Sequence, residues 1–354
     1  MSDDDVRFMR RALRLAARAS GRTSPNPMVG AVVVRRDAIV GEGYHRAAGE
    51  PHAETIALRA AAAHARGATL YTTLEPCAHQ GRTPPCVEAV REAGIARVVS
   101  AMRDPDPRTD GKGFRALRSA GIEVVQGVLE AEALRQNEGF VSRVARGRPF
   151  VLVKLATTLD GRVSVTGRRY LSGRAALKEV HRLRDRYDAV LVGSGTVLAD
   201  DPALTVREVK GRDPLRVIVD TDARTPPQAK VVRAKDPQRT VIFVARDADV
   251  RRVKRLRDAG VLVTALPRGA AGLDLGAVLR WLAAQGVNTV LSEAGPKIAG
   301  TLIASGLADR LMLITAPIAG GDGPSALAGV GVPVELASLR VRRLGDDVVL
   351  EGDL

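Results

Sequence analysis

The feature that most constrains this chain is residues 74–86 (LEPCAHQGRTPPC), which contain Cys77 and Cys86, the only two cysteines among 354 residues. Upstream of them the chain contains His52-Ala53-Glu54. Zinc prefers imidazole nitrogen and thiolate sulfur in a tetrahedral arrangement, and a catalytic zinc site keeps one position free for water. Since His52, Cys77 and Cys86 supply three ligands, they predict one catalytic zinc ion per chain.

The glutamate beside the predicted ligand His52 indicates deamination. A zinc-activated water that attacks an amino-bearing ring carbon needs a group such as Glu54 to carry its proton to the departing ammonia. Zinc deaminases of bases share a His-x-Glu and Pro-Cys-x-x-Cys pattern, but here eight residues (78–85) separate the cysteines. Two other interpretations stay open: inert buried cysteines near an unrelated histidine, or a structural zinc that His79 closes as a fourth ligand. We favour His79 as a substrate contact.

The length of the chain predicts two domains, because 354 residues exceed what one ordinary hydrophobic core organises. Residues 143–149 (RVARGRP) are basic and contain glycine and proline, which is typical of a linker. We therefore expect domains at 1–146 and 147–354. Strands alternate with helices in both halves, which indicates an α/β fold in each.

Hydrophobic periodicity predicts the individual elements. In the first half we expect helices over 5–19, 51–66 and 86–93, and strands over 29–34, 39–43, 68–73, 97–101 and 123–127. In the second half we expect helices over 174–187, 273–285 and 296–305, and strands over 150–155, 189–192, 215–220, 240–244, 261–265 and 288–291. Two prolines precede Cys86, so this cysteine is expected to begin a helix, where its thiolate is stabilised.

The charge balance indicates an anionic partner. The chain has 54 basic and 40 acidic residues, a net charge of +14, which suits nucleic acid or a phosphorylated small molecule. An arginine-rich solvated surface explains the charge equally well, and with only 3% aromatic residues few side chains can stack bases. Cysteines that bind metal favour the reducing cytoplasm. We also expect no membrane association, since no signal-peptide core or long apolar run is present.

Three motifs resemble the deaminase half of the bifunctional riboflavin biosynthesis deaminase–reductase family: residues 23–30 (TSPNPMVG), 49–54 (GEPHAE) and 74–86. The resemblance implies a cytidine-deaminase-like α/β/α sandwich with Glu54 as a catalytic residue. It implies that the substrate is 2,5-diamino-6-(5-phosphoribosylamino)pyrimidin-4(3H)-one, deaminated at its ring amino group. The residues implied to bind this substrate are Asn26, His45, His79, Arg82 and Thr83. Asp106 stands where the family usually has asparagine.

The second half resembles the reductase half of the same family at residues 154–161 (KLATTLDG), 193–204 (GSGTVLADDPAL) and 293–296 (EAGP). The resemblance implies a dihydrofolate-reductase-like α/β domain that reduces the ribosyl group to ribityl with NADPH, with Lys154 near the sugar as a catalytic partner. The residues implied to contact NADPH are Ala156, Tyr170, Thr196, Asp200, Thr221, Gly295, Pro296, Lys297, Ile298, Ala299, Gly300 and Thr301. Those implied to contact the substrate are Arg168, Arg184, Leu204, Arg207 and Glu293, with Arg184 and Arg207 on its phosphate. Tyr170 and Arg168 stand where the family often has tryptophan and serine.

This interpretation implies a phosphorylated pyrimidine as partner, no nucleic acid, and a homo-oligomer that is a dimer or a tetramer. Two other functions stay open on the residues alone. A nucleic-acid base deaminase with a fused binding domain suits the charge, and a catalytically silent zinc scaffold suits the ligand set. Lys154 and Glu293 also fit a surface pair at strand ends, and we interpret His64 and His181 as ordinary surface or packing residues.

Overall fold

The structure, a computed structural model, describes residues 2–78, 84–269, 272–331 and 333–354. It divides into two compact units, Met1–Gly147 and Arg148–Leu354. The boundary expected from the sequence lies one residue earlier, after residue 146. Among the described residues, no helix combines the length and the apolar character needed to cross a bilayer.

The first unit is an α/β structure around one five-stranded sheet. Its strands are β1 (Gly30–Arg35), β2 (Ala38–Tyr44), β3 (Thr69–Thr72), β4 (Arg97–Ser100) and β5 (Glu123–Gln126). Its helices are α1 (Asp3–Ala16), α2 (Ala53–Ala61), α3 (Cys86–Glu92), α4 (Lys112–Ser119), α5 (Glu130–Gln136) and α6 (Glu138–Arg146). The strand order is β2-β1-β3-β4-β5, with β1 antiparallel to both neighbours and β3, β4 and β5 parallel.

Helix α1 begins earlier than the sequence indicated because a reciprocal cap holds its first turn. The Ser2 hydroxyl accepts the amide of Asp5 at 3.1 Å, and the Asp5 carboxylate accepts the amide of Ser2 at 3.3 Å. Asp5 is also buried, where it accepts hydrogen bonds from Tyr71 of β3 and Arg97 of β4. The cap therefore also fastens the helix to the sheet.

Helix α2 packs unusually close to the sheet because β2 presents glycines to it. A Cβ atom on Gly41 would lie 2.7 Å from the backbone nitrogen of Ala61, and one on Gly43 would lie 2.7 Å from that of Ala57. Such distances are well inside van der Waals contact, so larger residues would displace the helix. This close packing sets the position of the first turn of α2, which carries the candidate residues 52 and 54.

The second unit contains a nine-stranded sheet and a separate two-residue ladder. Its strands are β6 (Phe150–Thr157), β7 (Ala189–Gly193), β8 (Leu215–Val219), β9 (Thr240–Ala245), β10 (Leu262–Leu266), β11 (Arg268–Gly269), β12 (Gly272–Leu273), β13 (Thr289–Ser292), β14 (Arg310–Thr315), β15 (Ala337–Leu344) and β16 (Asp347–Asp353). Its helices are α7 (Arg174–Arg186), α8 (Ser194–Asp200), α9 (Val250–Asp258), α10 (Leu275–Ala284) and α11 (Pro296–Ala304). The large sheet has the order β10-β9-β8-β7-β13-β6-β14-β16-β15, parallel as far as β14. The final strands β16 and β15 are antiparallel.

The central parallel strands of the large sheet are buried on both faces. Val151 and Val153 of β6 pack in one apolar cluster with residues of α10 and α11, whereas Leu152 packs in another with residues of α7. This arrangement explains why the parallel strands are nearly continuous apolar runs. It also brings the carboxyl ends of β6, β7 and β13 to one edge of the sheet, which is where ligands bind in such folds.

Two of the elements that the sequence did not predict lack a local sequence signal. Helix α8 contains Gly195 in its first turn, which lowers intrinsic helix propensity. Strand β15 lies at the sheet edge and is largely exposed on both faces, so it has no apolar alternation to detect. Helices α4, α5, α6 and α9 and strands β11, β12, β14 and β16 were also not predicted.

Candidate active sites

The metal-ligand candidates of the first unit converge on one point. Nδ1 of His52 lies 3.2 Å from Sγ of Cys86 and 3.7 Å from Sγ of Cys77. The three donor atoms all lie within 4.8 Å of one another. Zinc bonds of ordinary length in a tetrahedral site separate nitrogen from sulfur by about 3.6 Å. The donor set and its spacing therefore fit a zinc ion.

Each of these three residues sits next to a regular element. His52 is the N-cap residue of α2, Cys77 follows β3 in a loop, and Cys86 is the first residue of α3. The amide of Cys86 donates to Sγ of Cys77 at 3.3 Å. Hydrogen bonding by the Cys86 thiol, and then by His52, outweighs burial and lowers the pKa of Cys77 to about 4. The local structure therefore favours the thiolate of Cys77, the form of cysteine that binds zinc. Hydrogen bonding to Cys77, and then burial, instead raise the pKa of Cys86, so the thiolate stabilisation expected for it at the start of α3 is not seen.

Glu54 is the buried acid of this site. It is the second residue of α2 and is 4% exposed. Burial raises the pKa of its carboxyl to about 7, against a smaller opposing effect of His52. A carboxyl of this kind takes up and releases a proton near neutral pH, as general acid–base catalysis requires.

A cavity of about 440 Å³ opens beside Glu54, and Asn26 and His45 line its wall. Nδ2 of Asn26 lies 3.0 Å from Nε2 of His45, and Nδ1 of His45 lies 3.2 Å from the carbonyl oxygen of Pro51. Since a carbonyl only accepts, the His45 proton is on Nδ1 and Nε2 accepts from Asn26. Burial lowers the pKa of His45, which keeps this arrangement neutral. The other predicted substrate contacts, His79, Arg82 and Thr83, lie outside the described residues.

Asp106, the acidic departure from the family pattern, also lines this cavity. Its two carboxylate oxygens accept from Nε and Nη2 of Arg108 at 2.5 to 3.0 Å. Arg108 therefore compensates the negative charge that Asp106 brings to the wall.

Glu75 organises the same region, and sequence analysis missed it. It is 2% exposed, and its Oε2 accepts the amides of Gly111 at 2.9 Å and Asp104 at 3.3 Å. Its Oε1 accepts the amide of Phe114 at 3.2 Å. Glu75 thus ties the loop that contains Asp106 to the segment that contains Cys77. Its place in the Glu-Pro-Cys motif was a signal, but the motif does not say what the carboxylate binds.

The second unit contains a cavity of about 590 Å³ at the carboxyl edge of its parallel strands. Most of the predicted residues line it: Lys154, Ala156, Tyr170, Arg184, Thr196, Asp200, Leu204, Arg207, Glu293, Gly295 and Pro296. They come from β6, from the segment between β6 and α7, from α7 and α8, and from the segments after α8 and β13. Residues far apart in the chain therefore form one wall, as expected at this edge of an α/β sheet.

A buried ion pair crosses this wall. Nε and Nη2 of Arg184 donate to the two carboxylate oxygens of Glu293 at 2.6 and 2.9 Å, and the side chains are only 10% and 11% exposed. Nη1 of Arg184 also donates to the carbonyl of Thr205 at 3.1 Å. The guanidinium predicted to bind phosphate is therefore already bound within the protein. Arg207 lines the cavity without an ion-pair partner among the described residues.

Lys154 and Glu293 do not form the surface pair considered above. The carboxylate of Glu293 is buried and binds Arg184 instead. Burial lowers the pKa of the Lys154 ammonium, and the charge of Glu293 opposes this effect. Burial likewise opposes ionisation of Glu293, but the charges of Arg184 and then Lys154 lower its pKa overall. The cluster therefore holds one carboxylate between two cations.

Some residues predicted to contact ligands are not brought to this wall: Arg168, Thr221, Lys297, Ile298, Ala299, Gly300 and Thr301. In α11 only the first turn, Gly295 and Pro296, faces the cavity. Ala299 is fully buried, and a Cβ atom on Gly300 would lie 3.2 Å from the backbone of Gly329. These two residues therefore pack α11 against the protein interior.

His181, interpreted from the sequence as an ordinary residue, lies on the wall of the second cavity. It is fully buried, and its Nδ1 accepts the amide of Arg207 at 3.1 Å. The signal that could have identified it is spacing, because His181 and Arg184 are three residues apart and share one face of α7.

Comparison with known families agrees with both sites. Residues 2–102 match the cytidine and deoxycytidylate deaminase zinc-binding region. Residues 149–350 match the RibD C-terminal domain. The predicted order of a cytidine-deaminase-like domain followed by a reductase domain is therefore confirmed.

Individual proteins match the chain over almost its entire length. The riboflavin biosynthesis protein RibD of Escherichia coli (strain K12) is 40% identical over 367 residues, covering 98% of each chain. The solved structure of Acinetobacter baumannii RibD is 36% identical with a TM-score of 0.89 and covers 99% of each chain. A diaminohydroxyphosphoribosylaminopyrimidine deaminase/5-amino-6-(5-phosphoribosylamino)uracil reductase from Thermotoga maritima is 35% identical with a TM-score of 0.87, covering 99% of this chain and 98% of that one. The chain belongs to the RibD family of riboflavin biosynthesis, bifunctional enzymes that join a zinc-dependent deaminase to an NADPH-dependent reductase.

Proposed function

We propose that residues 1–146 deaminate 2,5-diamino-6-(5-phosphoribosylamino)pyrimidin-4(3H)-one, and that residues 147–354 then reduce the ribosyl group of the product to ribityl. The Thermotoga maritima relative is named for this pair of activities. The observation that carries the proposal is the buried Glu54 carboxyl beside three convergent zinc donors at the wall of a cavity.

In the deaminase, His52, Cys77 and Cys86 would hold the zinc ion, which supplies a Lewis acid that activates water. Glu54 would take a proton from the attacking water and pass it to the departing amino group. A carboxyl whose pKa is about 7 populates both forms that this transfer needs. The hydrogen-bonded pair of Asn26 and His45 would orient the pyrimidine.

In the reductase, NADPH supplies the hydride. Lys154 would donate a hydrogen bond to the open-chain sugar, and the charge of Glu293 would help to keep it protonated despite burial. Arg207 suits the substrate phosphate, since guanidinium binds phosphate with two parallel hydrogen bonds. At the start of α11, the backbone N–H of Gly295 would donate to an NADPH phosphate, since Pro296 has no N–H to offer.

The test measures ammonia release and NADPH oxidation separately on zinc-analysed protein. Wild-type protein should release ammonia and then oxidise NADPH. E54Q should lose ammonia release by at least about 100-fold, while it retains zinc and oxidises NADPH when given the deaminated intermediate. K154A should release ammonia at the wild-type rate but lose NADPH oxidation.

Matched controls remove the same group at exposed positions. E92Q and K235A alter exposed residues of the first and second units and should leave both activities unchanged. Ammonia release by E54Q at the wild-type rate would remove Glu54 from the mechanism. Failure of wild-type, zinc-loaded protein to release ammonia or to oxidise NADPH would refute the proposed substrate.

We propose a homo-oligomer, a dimer or a tetramer, of cytoplasmic location. Leu339 and Val341 of the edge strand β15 are 56% and 63% exposed, which supports a partner chain at this edge. Two metal-binding thiols suit a reducing compartment. Light scattering on purified protein would test the oligomer.

Nucleic acid is not among the proposed partners, and tight, salt-dependent RNA binding would contradict this.

A further inference from the structure

Within the described part of the chain, His181 of α7 makes one hydrogen bond and leaves one ring nitrogen without a partner. Its Nδ1 accepts the backbone N–H of Arg207 at 3.1 Å. Its Nε2 is buried and has no hydrogen-bond partner among the described residues. Because an amide only donates, the lone pair must be on Nδ1 and the proton on Nε2. The ring is therefore the neutral Nε2–H tautomer.

The environment keeps His181 in this acceptor form. Burial, and then the positive charges of Arg184 and Arg207, lower its pKa to about 4. Imidazolium would carry a proton on Nδ1 and could not accept from Arg207. At neutral pH the hydrogen bond to Arg207 is therefore retained.

The segment that His181 holds is not in a relaxed conformation. Leu204 is 2% exposed and has a φ of 54°, in the left-handed region that leucine rarely adopts. Such a conformation persists only where surrounding contacts impose it. Arg184, three residues after His181, donates to the carbonyl of Thr205, and Asp213 accepts the amide of Val206 at 2.7 Å.

The contacts from α7 thus hold the segment that presents Leu204 and Arg207 to the second cavity. We infer that His181 is a positioning residue of the reductase site, which fixes Arg207 for the phosphorylated substrate by accepting its backbone N–H. The inference rests on the proposed function, since it assigns Arg207 to the substrate phosphate. It predicts an effect of His181 on substrate KM that operates through Arg207.

Two amide variants separate the roles of the two ring nitrogens. In H181N the amide oxygen can take the place of Nδ1, whereas in H181Q the amide group lies near the place of Nε2. In H181F both polar groups are lost. We expect H181F and H181Q to raise the KM for the pyrimidine at least about tenfold, because a misplaced arginine loses its paired hydrogen bonds to phosphate. H181N should stay within about threefold of wild type, since it keeps the acceptor.

The KM for NADPH and the rate of ammonia release should not change in any of these variants. A general structural defect would change the melting temperature and kcat as well. If H181F does not fold, the comparison of H181N with H181Q still decides the question, because both are polar and of similar bulk.

A double-mutant cycle tests whether the effect passes through Arg207. R207A removes the guanidinium but retains the backbone N–H. If His181 acts by placing that guanidinium, adding H181F to R207A should raise the KM no further. If the KM increases of H181F and R207A instead multiply in the double variant, the inference is overturned. A wild-type KM in H181Q with a raised KM in H181N would also overturn it, because it would mean that Nε2 contacts the ligand directly. Wild-type KM in H181F would also overturn it. Failure of the wild-type protein to oxidise NADPH would instead refute the proposed function.

Discussion

Replacing Glu293 with glutamine should destabilise the second unit measurably. The substitution keeps the size of the side chain and one acceptor for Arg184, but it removes the negative charge between Arg184 and Lys154. Both members of the ion pair are about nine-tenths buried, and their two hydrogen bonds are 2.6 and 2.9 Å long. Breaking a buried pair by removing one partner costs about 3–5 kcal/mol, and the retained acceptor places the cost of E293Q at about 3 kcal/mol.

Calorimetry of the full zinc-loaded chain is the assay for E293Q. For a unit of this size, a loss of about 3 kcal/mol lowers the melting temperature by about 6–12 °C. The control is E335Q, the same substitution at an exposed glutamate of the second unit, which should melt like wild type. Melting of E293Q within about 1 °C of wild type would refute the reasoning. It would mean that the cost of burying both charges cancels their attraction.

The dependence of this difference on pH gives a second check. The pKa of Glu293 is lowered in the folded protein, so its stabilisation is present above the ordinary value of 4.5 and is lost as pH falls through the folded value. The difference in melting temperature between wild type and E293Q should therefore have its full size near pH 7. It should become smaller below about pH 4.5. A gap that widens on acidification would contradict the assigned charge.

Three further predictions concern the deaminase unit. G43A should lower ammonia release but still oxidise NADPH when given the deaminated intermediate, because a Cβ at residue 43 would displace α2 and Glu54 from the sheet, at a cost of about 1–3 kcal/mol; wild-type ammonia release would contradict the packing argument. E75Q should lower the melting temperature of this unit by weakening three buried hydrogen bonds, a loss of about 1–3 kcal/mol, and unchanged melting would count against it. Chelation should make Cys77, which is partly exposed and has a lowered pKa, reactive toward a thiol reagent, whereas reaction of Cys77 in zinc-loaded protein would argue against the ligand assignment.

The zinc-donor residues and Glu54 of the deaminase unit could be predicted from the sequence because their signals are local. His52 is the N-cap residue of α2, and Cys86 is the first residue of α3, as the two prolines before Cys86 predicted. Glu54 follows from its distance of two residues from His52. Patterns of this kind depend on backbone geometry over a few residues, so they can be identified without knowledge of the rest of the fold.

The contacts that depend on distant segments could not be predicted in this way. Glu293 binds Arg184, which lies 109 residues earlier in the chain, and Glu75 binds an amide at Gly111, 36 residues later. A motif can predict that a buried carboxylate needs a hydrogen-bond partner, but it does not identify that partner. The partner follows from the tertiary fold, in which residues of α7 share an apolar cluster with Leu291 of β13, so that Arg184 meets Glu293 just after that strand.

Helix α7 shows why a single periodic pattern can conceal a functional face. Ala176, Val180 and Leu183 pack into the core, and this apolar stripe is what the sequence detects. His181 and Arg184 border the same stripe, so the pattern classifies them with packing or surface residues. What distinguishes them is the segment 203–207, whose polar backbone groups lie against α7 and need partners from it. A polar residue beside an apolar stripe therefore gains its role from the backbone that packs on it, and that backbone is supplied by the tertiary fold.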